Sequence, residues 1–229
     1  GYALIARRHM NQYGTTPEQL AKIAVDQRTN ALANSQALFN TQPLTIQAVL
    51  NSKVIVDPLH LLEIVRPCSG AAAVVVSRSD EDCDWPHHPV NIPGFGEAYT
   101  HNSIPYAPEL TLSPVKMASQ RAFQMAGRSP RDIDLVSLYD CYTITVLISL
   151  EDAGFCPKGS GGRFVADTDL TYNGDRPVIP MEGSFPAGRP LLRGACPMLS
   201  KQSVNCGERL APGKYGKTGW LWSTATAGL

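Results

Sequence analysis

Residues 134–154 read D-L-V-S-L-Y-D-C-Y-T-I-T-V-L-I-S-L-E-D-A-G, and this stretch decides the fold. Asp134–Leu138 predicts a short strand, and Thr143–Asp152 predicts a helix that ends at Gly154. Working back along the chain, Ser113-Pro114 predicts a helix through Ala126 that is closed by Gly127, and Val90–Thr100 predicts a strand with a glycine bulge. The order strand, helix, strand, helix after residue 89 indicates an α/β protein with a parallel or mixed sheet.

The first 89 residues predict further elements that lead into this unit. Thr16-Pro17-Glu18-Gln19 has the residues of a helix start, with Thr16 as N-cap, Pro17 in the first turn and Gln19 at the third helical position. A first helix is predicted over Tyr2–Tyr13, stopped by Gly14, and the second helix should continue to about Leu32. A short helix over Thr45–Leu50 and an extended or looped Asp57–Leu62 follow. Gly70–Ser77 predicts a strand buried on both faces, and Ser79–Pro89 predicts a domain boundary.

Composition excludes several classes of protein. The 229 residues contain 20 Lys and Arg against 20 Asp and Glu, so the net charge is zero, which argues against a nucleic-acid binder or a membrane-surface protein. No stretch approaches the roughly 18 apolar residues of a transmembrane helix. The six cysteines are too widely spaced for a C-x-x-C metal site, so we expect reduced thiols, a cytoplasmic location and no bound metal.

The chain changes character at about residue 178. Residues 179–229 carry two acids and six bases, whereas residues 1–178 carry 18 acids and 14 bases. Eight of the 19 glycines and five of the 18 prolines also lie in these last 51 residues. The last part of the chain is therefore interpreted as an aberrant basic, Gly/Pro-rich tail.

The polar cluster Tyr139–Thr143 is the best-placed candidate site, because ligands of open α/β sheets gather at the carboxyl ends of strands. Tyr139 can act as a general acid or donate a hydrogen bond to a developing oxyanion. The alternative is structural: Asp140 or Thr143 can simply cap the following helix.

Other candidates have strong structural alternatives. Cys141 and Cys68 are possible nucleophiles, but neither has a histidine nearby in sequence, and a buried apolar thiol is the competing interpretation. His87-His88 lacks a third ligand at metal spacing, which favours a surface loop. Gly159–Gly162 resembles a phosphate-cradling loop without the accompanying lysine, which favours a mobile connector.

Four stretches together resemble the thiolase superfamily, and most closely its bacterial sterol-carrier or lipid-transfer branch: Tyr2–Gly14, Val56–His60, Cys68–Val76 and, above all, Leu138–Phe164. The resemblance implies a five-layered αβαβα fold, here incomplete. Residues 1–80 would supply a loop region and the last strand of the amino-terminal half, and residues 88–178 part of the carboxy-terminal half. It further implies acyl-CoA C-acyl transfer in lipid or sterol metabolism, with a coenzyme A thioester as substrate, no bound cofactor, and a homo-oligomer in the full-length form.

Three departures from the family pattern leave the reaction open. We expect the chain to begin past the region of the attacking cysteine, and the Gly-His-Pro and final Gly-rich motifs are missing. Tyr139 stands where the family has histidine, and a phenol and an imidazole differ in pKa by about 3.5. With tyrosine at this position, the chain resembles thiolase-like aldolases, which cleave steroid side-chain CoA esters and pair with a small OB-fold partner. The alternatives are thus retro-aldol cleavage, with Tyr139 as proton donor or acceptor, or an inactive scaffold subunit. Tyr139 and Cys141 are the candidate catalytic residues.

The unusual tail suggests a shifted reading frame. Shifting the codons of Gly219–Leu229 by one base permits a buried strand with a glycine-rich turn, and the same shift over Met198–Arg209 permits an amphipathic helix. A similar match over Val178–Gly183 places the shift near Val178–Ile179. The hypothesis predicts that residues 179–229 lack a regular helix–strand ending and make few core contacts.

Overall fold

A computed structural model describes residues 1–34, 37, 39–66, 76, 78, 91–180 and 220–223. The helices within these ranges are too short or too polar to cross a membrane. The predicted strand at 70–77 and boundary at 79–89 fall almost wholly outside the described residues, as do Cys68, His87 and His88.

Three helices form the amino-terminal part, and all three predictions are confirmed. Helix α1 spans Tyr2–Tyr13 and ends at Gly14, whose φ of 75° is the left-handed conformation that glycine adopts without strain. Helix α2 spans Pro17–Leu32, and helix α3 spans Ile46–Leu50.

The start of α2 shows why the sequence specified it. The Gln19 amide donates to Thr16 Oγ1 at 3.4 Å, and the Thr16 amide donates to Gln19 Oε1 at 3.0 Å. This capping box satisfies two amides that the helix itself leaves without partners.

A small antiparallel hairpin follows α3. Strands β1 (Val54–Val56) and β2 (Leu59–His60) pair, and a 3-10 turn over Leu61–Glu63 continues from β2. The predicted extended or looped Asp57–Leu62 is therefore the turn and second strand of this hairpin, followed by the start of the 3-10 turn.

Residues 91–100 form no strand, so the predicted strand over Val90–Thr100 is wrong for its described part. Gly94 and Gly96 allow this segment to lie directly on helix α4, which spans Val115–Ala126. A Cβ at either glycine would collide with the carbonyl oxygen of Ala122 or Ala118. The glycines thus permit close approach to a helix rather than a bulge in a strand.

A parallel sheet of three strands carries the second unit. Strand β3 (Leu135–Leu138) lies between β4 (Val178–Pro180) and β5 (Trp220–Ser223). Val136 is aligned with Val178 on one side and with Leu221 on the other. The parallel α/β arrangement predicted from the sequence is confirmed.

Residues 179–180 and 220–223 belong to strands that pair with β3, so this part of the chain contributes to the sheet. Each edge of β3 presents amides and carbonyls that any extended backbone can satisfy, whatever its side chains. The expectation that residues 179–229 lack a regular helix–strand ending stays a prediction, because most of this range lies outside the described residues. The shifted reading frame stays a prediction, as does the division into 1–80, 88–178 and 179–229.

Helix α5 (Thr143–Asp152) is the centre of the core, and nine of its ten residues are buried. It contacts α1, α2, α4 and α6, the last of which spans Gly161–Asp167. A helix surrounded on all sides can be apolar all round, which explains the run I-T-V-L-I-S-L. The α/β fold thus places the carboxyl end of β3 and the start of α5 deep in the molecule.

Candidate functional site

The candidate site is the junction loop, Tyr139–Tyr142, which joins β3 to α5. Helix α5 begins at Thr143 after the N-cap residue Tyr142, whose side chain makes no capping hydrogen bond. The Thr143 hydroxyl donates to Glu63 Oε1 at 3.1 Å. The interpretation of Thr143 as the helix cap is therefore wrong, and a capping role of Asp140 stays a prediction.

Cys141 is the buried centre of the junction loop, with 5% of its surface exposed. Burial raises the pKa of its thiol, although hydrogen bonds with Thr145, Tyr2 and Tyr139 act in the opposite direction. The sulfur lies 3.4 Å from Thr145 Oγ1. A thiol held neutral in this way is a proton donor rather than an attacking thiolate, so the nucleophile interpretation of Cys141 does not fit its surroundings.

Tyr2 is a site residue that the sequence analysis missed. Its ring stacks on Tyr142 with 4.3 Å between centroids, and its hydroxyl reaches Cys141. Burial first, and then the neighbouring Cys141, raise the pKa of Tyr2 well above its ordinary value. No local sequence signal could have joined Tyr2 to residues so distant along the chain.

A small cleft of about 70 Å³, partly open to solvent, lies beside the start of α5. Tyr2 and Thr145, the two residues that hold Cys141 from α1 and α5, both line it. The remaining lining residues are mostly apolar: Ile5, His101, Ile104, Ala107, Glu109, Leu110, Leu112, Ser113, Pro114, Ile144, Ile148 and Ser149.

Tyr139 is half-buried and near enough to Cys141 to lower the pKa of its thiol, but it is not among the residues that line this cleft. Tyr139 and Cys141 thus lie side by side in the junction loop, and their role as site residues stays a prediction. The structure connects Tyr139 to the cleft only through the Cys141 thiol and the residues around it.

A buried carboxylate, Glu63, supports the junction loop from the hairpin side and was also missed. It is 1% exposed. Besides the hydroxyl of Thr143, it accepts a hydrogen bond from the His60 amide at 2.8 Å and lies 3.1 Å from His60 Nδ1.

The opposite end of α5 carries a second polar cluster, the α5 carboxyl-end network. Glu151 Oε2 lies 3.1 Å from both His9 Nε2 and Lys158 Nζ, and His9 Nδ1 lies 2.8 Å from Thr15 Oγ1. Asp152 accepts hydrogen bonds from Lys158 Nζ at 2.9 Å and from the amide and hydroxyl of Ser113, at 2.6 and 2.8 Å.

The glycine-rich loop Gly159–Gly162 belongs to this network. The amides of Gly159 and Gly161 donate to Glu151 Oε1 at 3.1 and 2.7 Å. The loop therefore surrounds a carboxylate of its own chain and has no room for a phosphate at these amides. The alternative of a mobile connector does not fit either, because Gly161 and Gly162 are buried.

Across the ranges that the structure describes, no three His, Cys, Asp or Glu side chains are grouped so that they could hold a metal ion. The described free cysteines are Cys141 and Cys156. Burial raises the pKa of the Cys156 thiol to about 12. At Cys156 the positive charge of Lys158 is outweighed by burial and by the carboxylate of Glu151, and at Cys141 burial dominates, so neither thiol is activated for attack.

The chain is similar to known proteins over most of its length. Residues 96–200 match the family model described as thiolase C-terminal domain-like. An acetyl-CoA acetyltransferase of Methanothermobacter thermautotrophicus is 38% identical over 83% of this chain and 50% of its own length. A steroid side-chain-cleaving aldolase of Thermomonospora curvata is 37% identical over 76% of this chain and 46% of its own length.

A solved structure of an Ltp2-ChsH2(DUF35) aldolase superposes with a TM-score of 0.73 at 29% identity, covering 89% of this chain and 56% of that one. The chain thus spans about half the length of the relatives it matches. The chain belongs to the thiolase superfamily, and what it matches is the carboxy-terminal part of its relatives.

Proposed function

We propose that the protein acts on coenzyme A thioesters and cleaves a carbon–carbon bond beside the thioester by a retro-aldol reaction. The observation that carries the proposal is the placement of the Tyr139 phenol beside the buried Cys141 thiol where β3 passes into α5. A phenol and a thiol can both donate a hydrogen bond, and they lie at the place where α/β proteins hold their ligands.

The proposed reaction breaks a carbon–carbon bond, with one proton removed from the substrate and one returned to it. A base removes the proton of the β-hydroxyl group, the bond between the α and β carbons breaks, and a ketone leaves. The electron pair of that bond becomes the enolate of the CoA thioester, which a donor protonates at the α carbon. A phenol and a thiol can provide such a proton and can donate a hydrogen bond to the enolate oxygen.

Acyl-CoA C-acyl transfer is the second candidate, because the chain is 38% identical to an acetyl-CoA acetyltransferase. That reaction requires an attacking thiolate, and neither Cys141 nor Cys156 is suited to the role. A binding or scaffold subunit is the third candidate, from a different class.

The same proposal includes the metabolic role, the location and the partners of the protein. We expect a role in lipid or sterol metabolism in the cytoplasm, a homo-oligomer in the full-length form, and a small OB-fold partner. The partner is supported by the aldolase structure above, which is named with a second component, ChsH2(DUF35).

The test offers the chain two substrates and follows the products by mass spectrometry. A steroid side-chain CoA ester with a β-hydroxyl group should release a ketone, whereas acetoacetyl-CoA with free CoA should release no acetyl-CoA. Acetyl-CoA release without ketone overturns the retro-aldol proposal in favour of acyl transfer. Neither product, with CoA-ester binding retained, favours the scaffold subunit.

Tyr139→Phe isolates the phenol. We expect turnover to fall at least about 100-fold, which is the usual contribution of a general acid. Tyr99→Phe is the matched control, because it removes the same hydroxyl from a tyrosine that is 65% exposed. Equal turnover in the two variants would exclude Tyr139 from the reaction.

A further inference from the structure

Residues Glu63–Val65, here called the clamp segment, lie along the junction loop. Ile64 pairs with Tyr142 in an antiparallel bridge. The Val65 amide donates to the carbonyl oxygen of Cys141 at 2.9 Å. The backbone of the candidate site is therefore held by a separate part of the chain, nearly 80 residues earlier in sequence.

The Glu63 carboxylate completes this contact at the next residue. One oxygen accepts the hydrogen bond from Thr143, and the other accepts from the His60 amide. The carboxylate is almost wholly withdrawn from water, and a charge in that position persists only when neighbouring donors satisfy it. Its donors lie on both the hairpin and α5, so the carboxylate ties these two elements together.

The three contacts fall on consecutive residues: the carbonyl of Cys141, the backbone of Tyr142 and the hydroxyl of Thr143. They fix the backbone that determines where the Cys141 side chain points. The thiol itself then meets hydroxyls from α1, the junction loop and α5. A shift of this backbone would move the thiol relative to all of them.

We propose that Glu63 is a positioning residue: acting through Thr143, it holds the Cys141 thiol against the phenols of Tyr2 and Tyr139 in the arrangement that proton transfer requires. This inference rests on the proposed function for its purpose. Its geometry, however, can be tested without any substrate.

The experiment compares Thr143→Val with Thr143→Ser. Valine keeps the shape of threonine but removes the hydroxyl that reaches Glu63, whereas serine keeps the hydroxyl. Iodoacetamide labelling, measured by peptide mass spectrometry across a pH series, gives separate rates for Cys141 and Cys156. The titratable groups that face Cys141 are Tyr2 from α1 and Tyr139, Asp140 and Tyr142 from the junction loop.

We expect Thr143→Val to raise the labelling rate of Cys141 about five- to tenfold, since a lost buried hydrogen bond makes local opening more frequent by about that factor. Cys156 should change less than about twofold, and Thr143→Ser should behave like the unmodified protein. Glu63→Gln should reproduce the effect of Thr143→Val, and Glu97→Gln, at an exposed position, should not.

Two results would overturn the positioning role. Equal acceleration at Cys141 and Cys156 would show that the variants merely loosen the fold, and unchanged labelling of Cys141 would show that Glu63 does not hold it. Selective labelling in a protein that releases no ketone would instead retain the positioning role and reject the proposed reaction.

Discussion

Buried polar groups lie at both ends of helix α5, but a charged carboxylate is held at one end and a neutral thiol at the other. At the carboxyl end, Glu151 is surrounded by donors from His9, Lys158 and the amides of Gly159 and Gly161. At the amino end, Cys141 is surrounded by hydroxyls and lies near a small, partly open cleft.

The difference shows in the direction of the pKa shifts. Burial alone would raise the pKa of Glu151, but His9, the amide of Gly161 and Lys158 together lower it below the ordinary value. Burial dominates at Cys141 and Tyr2, and both pKa values are raised. One end thus keeps a fixed charge that stabilises the fold, and the other keeps exchangeable protons, which is the property a site for proton transfer needs.

The largest expected effect comes from removing the fixed charge. Glu151→Ala leaves His9 Nε2 and two loop amides facing a buried space without their acceptor, and leaves Lys158 with Asp152 alone. We expect the free energy of unfolding to fall by about 3–5 kcal/mol, as for other buried pairs that lose one partner. Urea denaturation followed by circular dichroism measures this loss.

Glu97→Ala is the control for the same chemical change at an exposed position, where we expect a change within about 0.5 kcal/mol. A loss of less than about 1 kcal/mol for Glu151→Ala would mean that the network contributes no more than a surface group.

The same carboxylate should make stability depend on pH. Because the pKa of folded Glu151 is lowered, its contribution is fully present above the pKa of an unfolded glutamate and is lost as the pH falls through the folded pKa. The difference in unfolding free energy between the unmodified protein and Glu151→Gln should therefore shrink below about pH 4.5. A difference that stays constant from pH 7 to pH 3 would contradict the lowered pKa.

A smaller effect is expected from filling the space beside Glu151. A Cβ at Gly161 would lie 2.6 Å from Glu151 Oε1 and 2.7 Å from Leu147 Cδ2, closer than atoms normally approach. Gly161→Ala should cost about 1–3 kcal/mol, which is typical of overpacking. Arg163→Ala, on an exposed side chain of the same helix, should change the melting temperature little. An unchanged melting temperature for Gly161→Ala would show that the loop yields easily.

Local signals in the sequence were sufficient for helices α1 to α5 and for the junction loop, whereas α6 was missed. Gly14 and the capping box at Thr16 predicted the boundaries of α1 and α2 because the relevant contacts lie within three or four residues. The strand at 135–138 and the start of α5 followed from a short apolar segment and a longer one. The placement of Tyr139 and Cys141 between them came from the same reasoning.

Contacts between distant residues were not predictable. Glu151 and His9 are 142 residues apart, and Glu63 and Thr143 are 80 apart, so no periodicity links them. Gly94 and Gly96 were interpreted as a strand bulge because glycine alone does not reveal which neighbour approaches it. The phosphate-loop interpretation failed for the same reason, since the anion that the loop holds is Glu151.

The smallest effect on stability should come from the end of α5 assigned to function. Tyr139→Phe keeps the ring and removes one hydroxyl, which lies beside the weakly hydrogen-bonding thiol of Cys141. Because a thiol is a weak hydrogen-bonding group and Tyr139 is half-buried, we expect the free energy of unfolding to change by less than about 1 kcal/mol.

The two ends of α5 are compared directly when the changes in unfolding free energy for Tyr139→Phe and Glu151→Ala are measured by the same urea denaturation. If Tyr139→Phe destabilised the protein as much as Glu151→Ala, the Tyr139 hydroxyl would be part of the structural framework. The contrast between the ends of α5 would then fail. A small loss of unfolding free energy together with slowed turnover would show that the Tyr139 hydroxyl serves the reaction and not the fold. A group that is retained for chemistry can be removed without unfolding the chain that holds it.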